Sequence, residues 1–221
     1  MERTVSPLTG ISIQVSLDGF SFNGSSWYTA ERVFTIPEFQ RRWDSVEISL
    51  LTPKVTLVPD AFLDVSSARK ALEEVAPLRA GDAVETVPVP ALGATLVFSN
   101  SLDESLSRVL AQTVLPVSGE PVRVLPEMYY LLRELDNVSE YNKILASWHA
   151  GWLHVVIAQG SNLCLANVFE APDFTTAEYF LFLALKRLQL NPEVSTVHFR
   201  TPLDPEAEMS LYRYFKAVVQ L

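Results

Sequence analysis

Alternating apolar and polar residues mark the beginning of this 221-residue chain as β-structure with a tight turn. The alternation runs through residues 11–17, Asp18-Gly19 follows, and the alternation resumes at Phe20. A period of two residues places every second side chain on one face of a sheet. Because Asp-Gly is a favoured two-residue hairpin turn, this segment is predicted to form a β-hairpin.

A second hairpin is predicted in the last third of the chain. Strands are expected over residues 152–158 and 163–170, joined by a turn at Gln159-Gly160-Ser161-Asn162. A strongly apolar helix then covers residues 175–190, and a strand covers 194–200. A final helix is predicted from about residue 205 to residue 219.

The remaining segments are predicted from the same kinds of pattern. Strands are expected over 27–35, 46–51, 83–90 and 94–98, with a short extended stretch over 55–58. Helices are expected over 37–43, from Asp60 to about Val75, and from a Ser101 cap to residue 110. Residues 114–119 are predicted to be a loop or a short strand. Helical spacing returns from Pro126 and again over 139–148.

The order of predicted elements recurs at the two ends of the chain. Each end presents a hairpin, a helix, a strand and a further helix, although the two share almost no sequence identity. The recurrence predicts two similar α/β halves around a pseudo-twofold axis, with each opening hairpin turn facing the cleft between them. A chance recurrence of so common an order is the alternative.

Composition excludes several classes of protein. With 48% hydrophobic and 19% charged residues, the chain is predicted to be globular. Cys164 has no second cysteine to pair with, and three histidines beside it make no Cys/His metal cluster. A net charge of −9 argues against nucleic-acid binding, which needs clustered basic residues. Without a signal peptide or an apolar run of about 20 residues, a cytoplasmic location and no membrane span are expected.

The three histidines are predicted to have structural roles. His154 alternates within a strand and is expected to be a partly buried, hydrogen-bonded side chain rather than a catalytic one. His149 is expected at the end of a helix, where the helix dipole favours its cation. His198 lies in a predicted strand, and nothing connects it to a nucleophile. Trp148 and Trp152 are expected to pack where the two halves meet.

Three short segments, 13–22, 51–59 and 165–169, resemble the blocks of an uncharacterised bacterial family with an actin-like ATPase fold and no assigned activity. The resemblance extends over nearly the whole chain. It implies an α/β fold with mixed sheets, in which two ribonuclease-H-like halves are arranged as in actin-like ATPases but reduced in size. Residues 1–118 would form the N-terminal half and 119–221 the C-terminal half, with linking helices at about 123–148.

The same resemblance implies where nucleotide phosphates would bind. In the superfamily, each opening hairpin carries an Asp-x-Gly-Thr/Ser turn, whose amides cradle phosphate and whose carboxylate positions Mg²⁺. The matching positions are Asp18, Gly19 and Ser21 in the first hairpin and Gly160 and Ser161 in the second. The first turn has its residues shifted by one position, the second has lost its acid, and no late Gly-Gly pair follows. Simple hairpin turns are the alternative interpretation of both segments.

These departures predict a protein without catalysis. No catalytic residue, metal site or cofactor is expected, and ATP with Mg²⁺ would bind only if the altered turns had kept their function. The predicted function is an actin-like scaffold or adaptor that contacts a protein partner or a second copy of itself. The alternative is a nucleotide-binding ATPase or small-molecule kinase that uses the cleft. A two-metal nuclease would need several converging acids, of which only Asp18 is well placed.

Overall fold

The structure, a computed structural model, describes residues 10–64, 67–99 and 104–221. Its strands and helices follow one another in this order: β1 (Gly10–Ser16), β2 (Gly19–Phe22), β3 (Ser45–Leu50), β4 (Val55–Pro59), α1 (Ala68–Glu73), β5 (Glu85–Val89), β6 (Ala94–Phe98), α2 (Glu104–Thr113), β7 (Val124–Pro126), α3 (Glu127–Glu134), β8 (Asn142–His149), β9 (Trp152–Gln159), β10 (Asn162–Glu170), α4 (Phe174–Arg187), β11 (Thr196–Phe199), α5 (Pro205–Tyr212) and β12 (Ala217–Gln220). Short 3₁₀ helices cover Ala30–Thr35, Pro37–Gln40, Asp60–Phe62, Pro90–Leu92 and Pro192–Val194.

Two mixed sheets share one strand order. In the N-terminal sheet the order is β2-β1-β3-β7, and in the C-terminal sheet it is β10-β9-β8-β11-β12. Each contains an antiparallel hairpin, β1–β2 or β8–β9, whose first strand pairs in parallel with a later strand. The C-terminal sheet adds β10 as an antiparallel edge strand. This topology confirms the predicted mixed α/β class with two ribonuclease-H-like halves. The predicted division after residue 118 precedes β7, which still pairs with β3 in the N-terminal sheet.

A small antiparallel sheet is inserted between β3 and α2. Its strands lie in the order β4-β6-β5, and α1 packs against β6 and β4. The strands predicted over 83–90 and 94–98 are confirmed. The long helix predicted from Asp60 is wrong, because a 3₁₀ turn follows β4 and α1 covers only Ala68–Glu73. The predicted Ser101 cap of α2 lies outside the described residues.

The largest error of the sequence prediction concerns residues 139–148, which form strand β8 instead of a helix. Ile144, Leu145 and Ala146 are all fully buried, because both faces of this strand are covered. Ile144 and Ala146 pack with α4, whereas Leu145 packs with α3 and the inserted sheet. A strand buried on both sides shows no alternation, so its apolar run resembles a short buried helix.

Two further predictions of secondary structure are wrong. Residues predicted as a strand over 27–35 contain a 3₁₀ helix, and only Tyr28 bridges to Phe20 of β2. The predicted final helix over 205–219 ends at Tyr212, after which Ala217–Gln220 forms β12 beside β11. At the C-terminal end, pairing with β11 decides the conformation, and a local pattern does not report it.

Candidate functional site between the hairpin turns

The turns of β1–β2 and β8–β9 face each other, and a hydrogen bond joins them. His149 Nε2 lies 3.1 Å from Asp18 Oδ1 and 3.2 Å from Asp18 Oδ2. Ala150 and Gly151 connect β8 to β9 with φ angles of 50° and 81°. Positive φ at both central residues is the geometry of a type I′ turn, which matches the twist of the flanking strands. The tight turn thereby places His149 at the end of β8, beside Asp18.

Two more side chains complete this contact. The Ser16 hydroxyl donates a hydrogen bond to Asp18 Oδ1. The indole of Trp27 stacks on the His149 imidazole, with 3.4 Å between ring centroids and 12° between planes. We refer to Ser16, Asp18, Trp27 and His149 as the hairpin clasp. It lies between the halves, at the first hairpin turn, where the resemblance described above implies a bound phosphate.

The pKa shifts define the chemistry of the clasp at neutral pH. Burial lowers the pKa of His149, and this effect outweighs the neighbouring Asp18, which raises it. For Asp18, burial raises the pKa, but the Ser16 hydrogen bond and His149 together bring it below its ordinary value of 3.8. The imidazole is therefore neutral and the carboxylate ionised at pH 7. Since an ionised carboxylate only accepts, Nε2 carries the proton and donates it.

The other phosphate positions predicted in the first hairpin face the protein itself. A Cβ on Gly19 would lie 2.0 Å from the Tyr28 carbonyl oxygen, so the glycine is required by a close backbone contact. The next amide, that of Phe20, donates to the same carbonyl oxygen at 2.9 Å. Ser21 is fully buried and donates to Gln14 Oε1 at 2.7 Å. These groups stabilise the hairpin and its bridge to residue 28.

Gly160 and Ser161, predicted as the second phosphate turn, lie far from the clasp. They connect β9 to β10, next to Asn142 at the start of β8, whereas His149 is at the other end of that strand. Seven residue steps along a strand span about 23 Å. The structure therefore does not bring these two residues together with Asp18. The turn that faces Asp18 is Ala150-Gly151, which has neither an acid nor a hydroxyl.

A buried ion pair forms a second connection between the halves. Arg200 Nη1 lies 2.6 Å from Glu127 Oε2, and these side chains are 6% and 0% exposed. Arg200 also donates to Ser49 Oγ at 3.2 Å and to Ser12 Oγ at 2.7 Å. Ser147 donates to Glu127 Oε1 at 2.6 Å. We call these five side chains the buried network.

The buried network joins both sheets through α3. Ser12 and Ser49 belong to β1 and β3 of the N-terminal sheet, whereas Ser147 belongs to β8 and Arg200 follows β11 of the C-terminal sheet. The network was missed in the sequence because its members are spread over almost 190 positions. A glutamate just after Pro126 and an arginine at the end of a strand were the available signals, and each is common on protein surfaces.

His154 provides a third connection, with the predicted hydrogen bond but with deeper burial than predicted. Its side chain is fully buried, and Nε2 lies 3.0 Å from the carbonyl oxygen of Thr52. Burial lowers the pKa of His154, so the imidazole is neutral at pH 7 and donates Nε2–H to the carbonyl. His149, predicted at the end of a helix, instead ends a strand. Its cation is disfavoured by burial, which is the opposite of the helix-dipole expectation.

The described residues offer no metal centre and no membrane-spanning helix. Over 10–64, 67–99 and 104–221, no three His, Cys, Asp or Glu side chains form a group that could hold a metal ion. No helix in this part of the chain is long and apolar enough to cross a membrane.

Comparisons with known proteins agree with this architecture. The model of a family described as "Protein of unknown function (DUF3822)" matches residues 29–218. No curated protein matches the chain significantly. A Bacteroides thetaiotaomicron VPI-5482 protein with an actin-like ATPase fold and unknown function gives a TM-score of 0.67 at 18% identity, covering 97% of this chain and 91% of the other. The PilM–PilN type IV pilus biogenesis complex gives 0.54 at 12% identity, covering 97% and 89%. These likenesses confirm the actin-like ATPase fold expected from the sequence resemblance.

Proposed function

The chain belongs to the DUF3822 family, whose function is unknown, and from this premise we propose that it is a non-catalytic actin-like scaffold or adaptor. It would act by contacting another protein or a second copy of itself. One observation carries the proposal: the Asp18 carboxylate, which would position Mg²⁺ in an ATPase of this fold, accepts from the chain's own Ser16 and His149. A metal ion bound to Asp18 would have to compete with these two hydrogen bonds.

The connections between the halves support the same proposal. An ATPase of this fold would have to admit and release a nucleotide between its halves. Here that opening would separate Arg200 from Glu127, whose side chains are buried and 2.6 Å apart. It would also break the bond between His154 and Thr52. These contacts favour a rigid body with fixed surfaces for binding. They disfavour a cleft that opens and closes.

The comparison with a pilus assembly complex is compatible with an adaptor role. PilM–PilN is a complex of two proteins in pilus biogenesis, and its similarity to this chain extends over most of both. At 12% identity the likeness concerns the fold alone, so it names no partner for this chain. It shows that a protein structure with this chain's fold can occur within a protein complex.

The test is thermal unfolding with and without ATP and Mg²⁺. A ligand present at 100 times its dissociation constant stabilises the native state by about 2.7 kcal/mol. For a chain of this size, that corresponds to a rise in Tm of roughly 5–10 °C. We expect no change in Tm at millimolar ATP–Mg²⁺, with ATP plus EDTA as the control. A magnesium-dependent rise would contradict the proposal and favour the nucleotide-binding alternative.

The adaptor role itself is tested by the mass of the native protein. Light scattering and native mass spectrometry of the purified full chain should show a self-assembled species or a defined complex with a co-purified protein. A monodisperse monomer at high concentration, with no co-purifying protein from its natural source, would contradict the proposed role even if ATP does not bind.

A further inference from the structure

An apolar cavity of about 490 Å³ adjoins the hairpin clasp. Leu17, which precedes Asp18, and Trp152, which pairs with His149 in the second hairpin, both line it. Pro53 contributes from the β3–β4 connection, and residues 75–79 contribute from the segment after α1. The cavity is therefore walled by both halves and by the inserted segment. Its volume falls within the roughly 300–1,000 Å³ typical of small-molecule sites.

The lining combines apolar side chains with a few basic ones. Val75, Leu78 and Val168 extend the apolar wall, and the two charged residues at the cavity are Lys54 and Arg79. Leu17 and Val75 at the rim are 61% and 59% exposed, so the chain leaves apolar surface open there. A mainly apolar pocket with a few fixed polar groups is the usual form of a ligand site.

Lys54 and Arg79 differ in what they already bind. The Lys54 ammonium group is buried and forms an ion pair with Asp82. Arg79 is exposed, and its guanidinium has no hydrogen bond or ion pair with any residue that the structure describes. The Arg79 side chain is thus the cation at this cavity that has its charge available.

The backbone of Arg79 is held in place while its side chain is not. The Arg79 amide donates to Asp82 Oδ2 at 3.0 Å, and the Arg79 carbonyl accepts from Arg69 Nη2 at 3.0 Å. Asp82 in turn is bound to Lys54, so the rim of the cavity is anchored to β4. An anchored backbone fixes the origin of the free guanidinium at the edge of the apolar pocket and reduces the entropy lost on binding.

We propose that this cavity binds a small amphipathic monocarboxylate, with its apolar body against Leu17, Trp152 and Val168 and its carboxylate on Arg79. Arginine matches a carboxylate with two parallel N–H donors. On a chain of net charge −9, an anion is otherwise disfavoured, so a local cation beside an apolar pocket selects for a ligand with one charge and a large apolar part. This binding activity goes beyond the proposed scaffold function.

Decanoate and decanol, tested on the full chain, separate the two parts of the site. We expect decanoate to raise Tm and to change tryptophan fluorescence, and Trp152→Phe to remove most of the fluorescence change. Arg79→Gln should weaken decanoate binding about threefold to tenfold, since the ion pair is at the surface, and leave decanol binding unchanged. Arg213→Gln, which removes another exposed arginine outside the cavity lining, is the matched control and should change neither.

The apolar part of the site is tested separately. Leu17 is exposed, so Leu17→Asp should fold normally and weaken the binding of both decanoate and decanol. The proposal is overturned if decanoate does not bind the wild-type chain. It is equally overturned if Arg79→Gln affects decanoate and decanol alike, or if Leu17→Asp affects neither. Because ATP–Mg²⁺ is titrated in a separate experiment, failure of the decanoate site leaves the test of the scaffold function intact.

Discussion

The hairpin clasp and the buried network both connect the two halves, but they differ in exposure and in chemistry. The Asp18 side chain is 62% exposed, and its partner His149 is neutral at pH 7. Arg200 and Glu127 are a charged pair at 6% and 0% exposure, with serine hydroxyls as additional partners. The first is a hydrogen bond whose acceptor is mostly exposed, and the second is a buried ion pair with additional hydrogen bonds.

The difference follows from solvation. An exposed hydrogen bond replaces a similar one to water, so its net contribution is small. A buried charge has lost its water, and its partner is then needed to offset the desolvation. The buried network is therefore expected to control stability, whereas the hairpin clasp controls which groups are accessible at the turn.

The largest expected effect is on the buried network. Arg200→Met leaves the fully buried Glu127 side chain without its cation, and we expect the free energy of unfolding to fall by about 3–5 kcal/mol. Urea unfolding measures this free energy. The double variant Arg200→Met with Glu127→Leu is the control and should recover much of the loss, because no uncompensated charge then stays buried. Equal losses in the two variants would mean that the ion pair does not determine the effect.

An intermediate effect is expected from pH. Burial lowers the pKa of His154 and of His149 below the ordinary value of 6.5, so the folded chain keeps both neutral while the unfolded chain takes up protons. Stability should therefore be full above pH 6.5 and decline as the pH falls below it, by at most about 1.4 kcal/mol per pH unit for each group.

The two histidines are distinguished by comparing slopes. Urea unfolding between pH 8 and pH 5 should show a reduced pH dependence in His154→Gln, whatever its stability at pH 8. His149→Gln should reduce the slope less, because His149 is less buried and Asp18 partly offsets its desolvation. If His154→Gln leaves the slope unchanged, the buried neutral imidazole is not the source of the pH dependence.

The smallest effect is expected in the hairpin clasp. Asp18→Asn should lower the free energy of unfolding by less than about 1 kcal/mol, since the carboxylate is mostly exposed. It should also lower the pKa of His149, because the Asp18 charge raises that pKa. An NMR titration of the His149 imidazole in the wild type and in Asp18→Asn measures the shift. A loss of several kcal/mol would show that the clasp, like the buried network, holds the halves together.

Local patterns gave much of the fold and little of the site. The alternation over 11–17 and the turn at Asp18-Gly19 predicted β1 and β2 correctly. The apolar pattern over 175–190 likewise predicted helix α4. The wrong prediction for β8 also changed which turn was predicted to face Asp18. A helix predicted over 139–148 leaves no hairpin around Ala150-Gly151, so the second turn is predicted at Gln159-Gly160 instead.

A signal for the correct turn was present. Ala150-Gly151 separates two apolar segments of equal length, and two residues are the usual length of a tight hairpin loop. Alanine rarely adopts a positive φ, however, so the pair does not resemble the Asn-Gly or Asp-Gly turns that identify type I′ hairpins. For this reason, the turn that faces Asp18 was not predicted from the sequence.

By itself, the sequence determined the mixed α/β class, the first hairpin and the loss of a recognisable phosphate motif, because each depends on residues close together in the chain. Only the tertiary structure decided which turn meets Asp18, that His149 bonds to Asp18 and stacks on Trp27, and that Arg200 and Glu127 are buried together. Those contacts join residues up to 188 positions apart, between Arg200 and Ser12. They form because the packing of the two sheets brings together residues that are distant in the sequence, and a local sequence pattern does not record which distant residues meet.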